Sequence, residues 1–370
     1  MAFLRCPQCA VKCGTHYIPY EVLRLLKMGF RRLEHAESRS LLKKYLTETM
    51  VEQMKFLKTS NRVNLYDCIT CGLENFDCEI GVFACDAESY FVFWPIFFPV
   101  LQEIHGFSPT DVHPKSCWQP VEDVLNLEDK DKYIKLTRVR VTRNFKGYPF
   151  CPQMSVKQFE EIEQLIKMLL ELMTGDLDGT YEHIGEITDK RIRELKKKQF
   201  YFDNKDKYFE PSGVYRNWPH GRGIFHNPTE NFLVWINPHD HLKVISLEYG
   251  GNLRKAYQRT MKAMRKLSRD LSFIFSERMG YVTTCPSDMG TGMKISMHIL
   301  LPKLSEYEEL LYDKADDLGI TVKKICQKEG LYEIFNRKRL GVTEIEIART
   351  MQNAAMELIN SEQMMIDFTL

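Results

Sequence analysis

Arg138 and Arg140 sit two residues apart in the run Tyr133-Ile134-Lys135-Leu136-Thr137-Arg138-Val139-Arg140-Val141. The run reads as a strand. Successive side chains then alternate faces, so both guanidinium groups point one way and Val139 and Val141 the other. A guanidinium fork grips an oxyanion through paired hydrogen bonds, so two on one rigid strand suit phosphate. A solvated strand face is the competing reading of a lone Arg-x-Arg. Lys243 and Lys294 also fall in or beside predicted strands. Gly221 to Asn227 is a glycine-bounded segment in which the His226 ring could stack on something flat. Cys285 heads the turn Cys285-Pro286-Ser287-Asp288-Met289-Gly290-Thr291-Gly292. Near the N-terminus, Cys6, Cys9 and Cys13 with His16 could offer zinc three sulfurs and an imidazole. Structural zinc sites usually come as two spaced pairs, so a tail with reduced thiols is the preferred reading. Cys68 and Cys71 fall in a helical pattern and read as packing.

Strands must carry these groups. Phe232 to Ile236 is apolar on both faces and predicts a central strand covered on each side. Asn237, Pro238, His239 and Asp240 are turn formers. His241 to Leu247 then reads as a second strand. Met279 to Thr284 and Lys294 to Pro302 read as further strands. Helices surround them. Residues 20 to 60 carry apolar positions at three- and four-residue spacing, and Asp67 to Asn75 continues that character before a loop at 76–83. Ser155 with Gln158 predicts a capped helix to Thr174, burying Phe159, Ile162, Leu165, Ile166, Leu169 and Leu172. Arg191 to Lys198 reads as a solvated helix face. Asn252 to Phe273 predicts another helix, and Thr343 with Glu346 caps a last one.

The chain has 370 residues, above the size at which one core stops growing, so two domains are expected. The net charge of +1 gives no global field to recruit nucleic acid or an anionic membrane. Any anion must be held by a local cluster of cations. Met1 to Gly14 lacks the apolar core of a signal peptide. Tyr90 to Leu101 is too short to span a bilayer and contains Pro95 and Pro99, so it reads as buried. Eleven cysteines, an odd number, fit free thiols in a reducing cytosol, so a cytoplasmic location is expected.

GRGIFHN, FLVWINPHDHLKVIS and TCPSDMGTGMKISMHILLPKLS resemble the phosphagen (guanidino) kinases, and among them the arginine kinases. SLLKKYLT, GLENFD, CDAESYFVF, TDVHP, RVRVTRNFKGYPF and RLGVTEIE match in the same order. The cysteine-proline turn and the His-Asn segment are specific to that family. The resemblance implies an α+β protein. A small all-helical N-terminal domain (21–112) would precede a larger C-terminal domain (113–370), an antiparallel sheet flanked by helices. Residues 1–20 would be an N-terminal extension, expected to be disordered. ATP with Mg2+ would bind on the sheet and pass its terminal phosphoryl group to a guanidino small molecule. The metal would arrive with the nucleotide. The family includes monomers and homodimers.

The resemblance also implies roles. Thr137, Arg138, Val139 and Arg140 would line ATP, with His226 near the adenosine and Ile295, Ser296, Met297 and His298 along the next strand. Cys285 matches the reactive cysteine, where a thiolate could sit beside the guanidinium. Lys243, Lys294 and Lys323 stand at or near three positions that carry phosphate-binding arginines in the family. Lysine keeps the charge but lacks the planar fork. His239 occupies the position of the first of two carboxylates that grip the guanidinium. Glu329 is the candidate for the second, in a shortened loop. Glu79, Ile80, Gly81, Val82 and Phe83 would form the substrate loop. There Phe83 lacks a gripping hydroxyl, and Glu79 would repel an acceptor carboxylate. Asp288 replaces an asparagine. These departures imply weakened phosphoryl transfer to a guanidine, or a chain that keeps nucleotide binding or a scaffold role without transfer.

Overall fold

The fold is known from a computed structural model that describes residues 17–116, 118, 127–198, 200–201, 205–326 and 329–369. The segment with Cys6, Cys9, Cys13 and His16, and with it the zinc reading, lies outside the described residues.

The first part of the chain is helical: α1 (Tyr20–His35), α2 (Leu41–Tyr45), α3 (Glu48–Met54), α4 (Leu65–Glu74), α5 (Ser89–Val92) and α6 (Trp94–His105). Local chemistry divides the apolar pattern of residues 20–60 into separate helices. The Ser40 side chain caps α2, Thr47 caps α3, and Asn64 with Asp67 forms a capping box at α4. Their apolar faces meet in one core that includes Leu26, Leu42, Ile69, Phe93 and Phe97. Phe150, Met279, Val282, Met289 and Leu340, from later in the chain, complete that same core. The helical part is therefore packed on the remainder through a shared apolar interior.

The remainder is built on an eight-stranded antiparallel sheet. Its strands are β1 (Ile134–Arg143), β2 (Thr180–His183), β3 (Gly223–His226), β4 (Phe232–Ile236), β5 (Leu242–Tyr249), β8 (Met293–Leu300), β9 (Ile320–Cys326) and β10 (Leu331–Asn336). The order across the sheet is β2-β3-β4-β5-β1-β8-β10-β9. All five residues of β4 are buried, as a strand apolar on both faces requires. Two short strands, β6 (Phe275–Ser276) and β7 (Gly280–Tyr281), make a separate hairpin. The longer strand expected over Met279 to Thr284 is thus reduced to two residues. Beyond Tyr281 the backbone turns away to bond the Asp240 side chain and Ala84.

One face of the sheet is apolar: Val139, Val141, Val234, Val244, Met293 and Ile295. It packs against α7 (Val156–Leu170), α9 (Leu253–Asp270) and α11 (Glu344–Thr369). The shorter helices α8 (Asp189–Lys197) and α10 (Glu308–Asp317) complete the set. Ile347, Met351, Ala355 and Leu358 of α11 are buried, and Thr343 and Glu346 exchange capping hydrogen bonds before it. Asn252 caps α9. In α7, Phe159, Ile162 and Ile166 are buried, but Leu165 is 36% exposed and Leu172 is 72% exposed. The buried stripe is narrower than expected, and α7 ends at Leu170, so helical phase no longer orients Leu172.

At the start of α7 the Gln158 amide donates to Ser155 Oγ at 3.3 Å, and the Ser155 amide donates to Gln158 Oε1 at 2.9 Å. Ser155→Ala leaves an orphan amide, and an expected loss of about 1 kcal/mol follows. A lower urea midpoint at unchanged slope is the measurement that checks it.

Candidate functional site

The second face of the sheet carries charge. Register places Arg140 of β1 opposite Lys294 of β8 on one side and Ile245 of β5 on the other. Arg138 pairs with Ser296, Leu136 with His298, and Thr142 with Lys243. Because side chains alternate, Arg138, Arg140, Lys243, Lys294, Ser296 and His298 share this face. Glu333 of β10 lies across from His298, and the exposed Lys323 of β9 lies across from Glu333. Thr137, Val139, Ile295 and Met297 point into the opposite core or the strand interior.

This face is a row of cations under strain from burial and from one another. Burial, then the neighbouring Arg140, brings the Arg138 guanidinium down to about 10. Burial and Arg140 bring the Lys294 ammonium down to about 6, with Glu333 pulling the other way. Lys243 is lowered by burial first, and Arg140 adds to it. His298 is lowered by burial and then by Arg138. The Lys294 ammonium lies 3.4 Å from the centroid of the Phe335 ring. Arg140 reaches Glu333 at 3.5 Å. Arg138 Nε, Arg140 Nε and Ser296 Oγ are buried without a hydrogen-bond partner. A buried donor without a partner costs roughly 1–3 kcal/mol. Unpaired donors and crowded cations on one surface are what a bound polyanion would relieve. The face therefore fits a triphosphate.

The Cys285 turn closes the end of this row, and hydrogen bonds fix it from three directions. The Thr284 amide donates to Asp240 Oδ1 at 2.7 Å, which ties it to the turn before β5. The Ala84 amide donates to the Thr284 carbonyl at 2.8 Å, and Tyr90 donates to the Thr283 carbonyl at 2.8 Å. His105 of α6 meets the Pro286 carbonyl at 2.9 Å. Arg339, just beyond β10, forms an ion pair with Asp288 and bonds the Ser287 carbonyl. Burial works to raise the Asp288 carboxyl, but Arg339, Lys243, Lys294 and Arg140 together hold it below its ordinary value. Asp288 is thus an internal anion in the cation row. Arg339 was not evident from spacing, because only the fold brings it to this turn.

Cys285, Cys71, Cys78 and Phe83 form a small buried cluster, with Ile80, Tyr208 and Phe209 packed on it. Phe83 stacks on Phe209 at 4.8 Å, and Phe209 stacks on His239 at 4.0 Å with ring planes 9° apart. His239 Nε2 lies 3.1 Å from the Tyr215 hydroxyl. Burial, then Lys243 and Arg222, drives the His239 imidazole well below its usual value, so it is neutral at pH 7. Burial pushes the Cys285 thiol up to about 12, with Asp288 adding to it. The sulfur is a buried thiol in contact with Ser287 Oγ at 3.1 Å.

The substrate loop is held by its backbone. The Leu41 amide donates to the Glu79 carbonyl at 2.9 Å and the Leu42 amide to the Ile80 carbonyl at 3.0 Å. Gly81 has φ +75°, a left-handed conformation that favours glycine, and its carbonyl approaches α4 so closely that a Cβ on Gly72 would meet it at 2.6 Å. Val82 and Phe83 are buried, whereas Glu79 is exposed. His226 closes the far side of the sheet. Its Nε2 lies 2.6 Å from Glu182 Oε1, and Arg191 bonds both. Glu329 stands apart from the group. It is exposed in the turn before β10, next to Gly330, which approaches Leu301 and Pro302, while Lys294 and Cys285 lie toward the Met293 end of β8. Seven residue steps along β8 separate the two ends, roughly 23 Å.

Known proteins share this fold. The sequence family described as ATP:guanido phosphotransferase, C-terminal catalytic domain, matches residues 161–365, and its N-terminal domain counterpart matches residues 36–102. The chain belongs to the ATP:guanido phosphotransferase family. Within that family it is 37% identical over 351 residues to an arginine kinase of Scylla serrata, covering 93% of this chain and 99% of the relative. An arginine kinase of Limulus polyphemus is 37% identical over 345 residues, 91% and 97% of the two chains. Among solved structures, the substrate-free duplicated taurocyamine kinase of Schistosoma mansoni superposes with a TM-score of 0.85 at 31% identity, over 92% of this chain and 49% of that one. A lombricine kinase superposes with a TM-score of 0.80 at 29% identity, over 88% and 92%. The phosphotransferase fold is accordingly the one expected from the sequence: helices first, then an antiparallel sheet flanked by helices.

Proposed function

We propose that this chain binds ATP on the charged face of the sheet and transfers its γ-phosphoryl group to a guanidino acceptor, at a reduced rate. The observation that carries this reading is the placement of Arg138, Arg140, Lys243 and Lys294 on one face of three adjacent strands, with Cys285 at its end. Arg138, Arg140 and Ser296 offer the buried donors that phosphate oxygens need. Mg2+, when bound with the nucleotide, neutralises charge on the transferred group, and the carboxylates on this face are Asp288 and Glu333. The residues here position and neutralise, and phosphoryl transfer asks little more of a protein. The acceptor would enter between Cys285, Phe83 and His239. A neutral His239 can accept a proton but cannot pair with a cation as a carboxylate does. That deficit supports the reduced rate.

A second reading is nucleotide binding without transfer, acting as a scaffold. The Phe83–Phe209–His239 stack favours it, since aromatic rings occupy the acceptor's place. A coupled assay with ATP, magnesium and a panel of guanidines separates the two. Turnover with any guanidine above the ATP-only background supports transfer. Tight nucleotide binding with none rejects it. We also propose that the protein acts in the cytosol as a monomer or homodimer, without nucleic acid or membrane partners.

A further inference from the structure

The cluster beside Cys285 contains two thiols that the proposed chemistry does not use. Cys71 lies near the C-terminus of α4, and Cys78 opens the substrate loop. Their sulfurs are 3.3 Å apart, and the Cys71 S–H donates to Cys78 Sγ. The Gly81 amide also donates to Cys78 Sγ at 3.3 Å. A disulfide needs sulfurs about 2.05 Å apart, so closure asks for a movement of about 1.3 Å. Cys78 also lines a cavity of about 620 Å³ between residues 37–40 and 74–79. A small oxidant entering that cavity meets Cys78 first, because Cys71 is fully buried behind it.

We propose that Cys71 and Cys78 form a modification site, a dithiol that hydrogen peroxide closes to a disulfide, locking the substrate loop to α4. The Cys78 thiolate attacks one peroxide oxygen, the O–O bond breaks, and the departing hydroxide takes a proton to become water. Cys78 is then a sulfenic acid. The Cys71 sulfur displaces hydroxide from it, the S–S bond forms, and the Cys71 proton completes a second water. Two thiols lose two electrons, and one peroxide becomes two waters. The asymmetry of the pair suits these roles. The Cys71 S–H holds the Cys78 thiol below its ordinary value, with burial opposing and the Gly81 and Ile80 amides assisting. Cys71 is raised by that same contact and by burial. Transient disulfides of this kind are compatible with a reducing compartment.

The test uses the full chain, treated with stoichiometric hydrogen peroxide, quenched with an alkylating agent and mapped by peptide mass spectrometry. A Cys71–Cys78 linked peptide, lost on treatment with dithiothreitol, is expected. Before oxidation, Cys78 is expected to alkylate at least about tenfold faster than Cys151, which is buried and pushed up to about 12. In Cys71→Ser, Cys78 is expected to stop at the sulfenic acid, trapped by dimedone. Recovery of Cys78 as an unmodified thiol, or linkage of Cys71 to Cys285 instead, overturns the proposal. An effect on transfer, a raised acceptor KM at unchanged nucleotide affinity, rests on the function proposed above. The mapping does not, so the chemistry stands or falls even where no guanidine is turned over.

Discussion

His239→Glu combined with Lys243→Arg and Lys294→Arg is expected to raise phosphoryl transfer to a guanidine by about 10²- to 10⁴-fold, the usual worth of a positioned acid–base group. The case begins at His239. Its imidazole is neutral, stacked on Phe209 and close to the Tyr215 hydroxyl. A carboxylate there meets Lys243 and Arg222, the two cations that add to burial in depressing the imidazole; both favour its anion, and burial opposes it. It then offers the acceptor cation a counter-charge and its proton a base. The two arginines act on the nucleotide side. Lys294 is a marginal cation in this site, whereas a guanidinium stays charged and forks onto phosphate oxygens. These groups meet at one transition state, so the effects should be coupled and not additive. Single, double and triple variants in the guanidine assay form the cycle. A triple variant that binds nucleotide well yet shows unchanged turnover would reject the roles assigned to all three positions.

Sequence reasoning reached the sheet because its signals are local. Arg138 and Arg140 share a face by alternation alone, and β4 is buried on both sides because no residue in it is polar. The capping pairs Ser155–Gln158 and Thr343–Glu346 needed only four residues each. What escaped was set by long-range contact. Phe209 and Tyr215 reach His239 from a segment with no regular pattern, and Arg339 reaches Asp288 from 51 residues away. Cys285 is a candidate thiolate by resemblance alone, and the burial that pushes its thiol up comes from contacts far apart in sequence. Glu329 was placed by counting along a shortened loop. Its neighbour Gly330 lies against Pro302, at the end of β8 away from Cys285.

Nucleotide affinity is expected to weaken as pH rises from about 6 to 8, and Lys294 is the group responsible. In the free protein its ammonium titrates at about 6, because burial and Arg140 disfavour the charge. A triphosphate over the row favours that charge and raises the value. Above pH 6 binding therefore takes up a proton, and affinity falls by up to about tenfold per pH unit until the bound form also titrates. Below pH 6 the lysine is already charged, and this contribution is flat. The nucleotide's own ionisation acts in the opposite sense, so Lys294→Arg is the reference. It keeps its charge throughout and should lose the downward slope. Folding stability carries the reverse sign. Between about 6 and 10.5 the unfolded chain holds the Lys294 proton that the folded chain has released. Lys294 therefore makes the free protein more stable as pH rises through that window, and Lys294→Met removes this dependence. Calorimetric titration at several pH values in two buffers of different ionisation enthalpy counts the proton directly. No proton uptake at pH 7 in the native chain would mean that Lys294 does not face the phosphates.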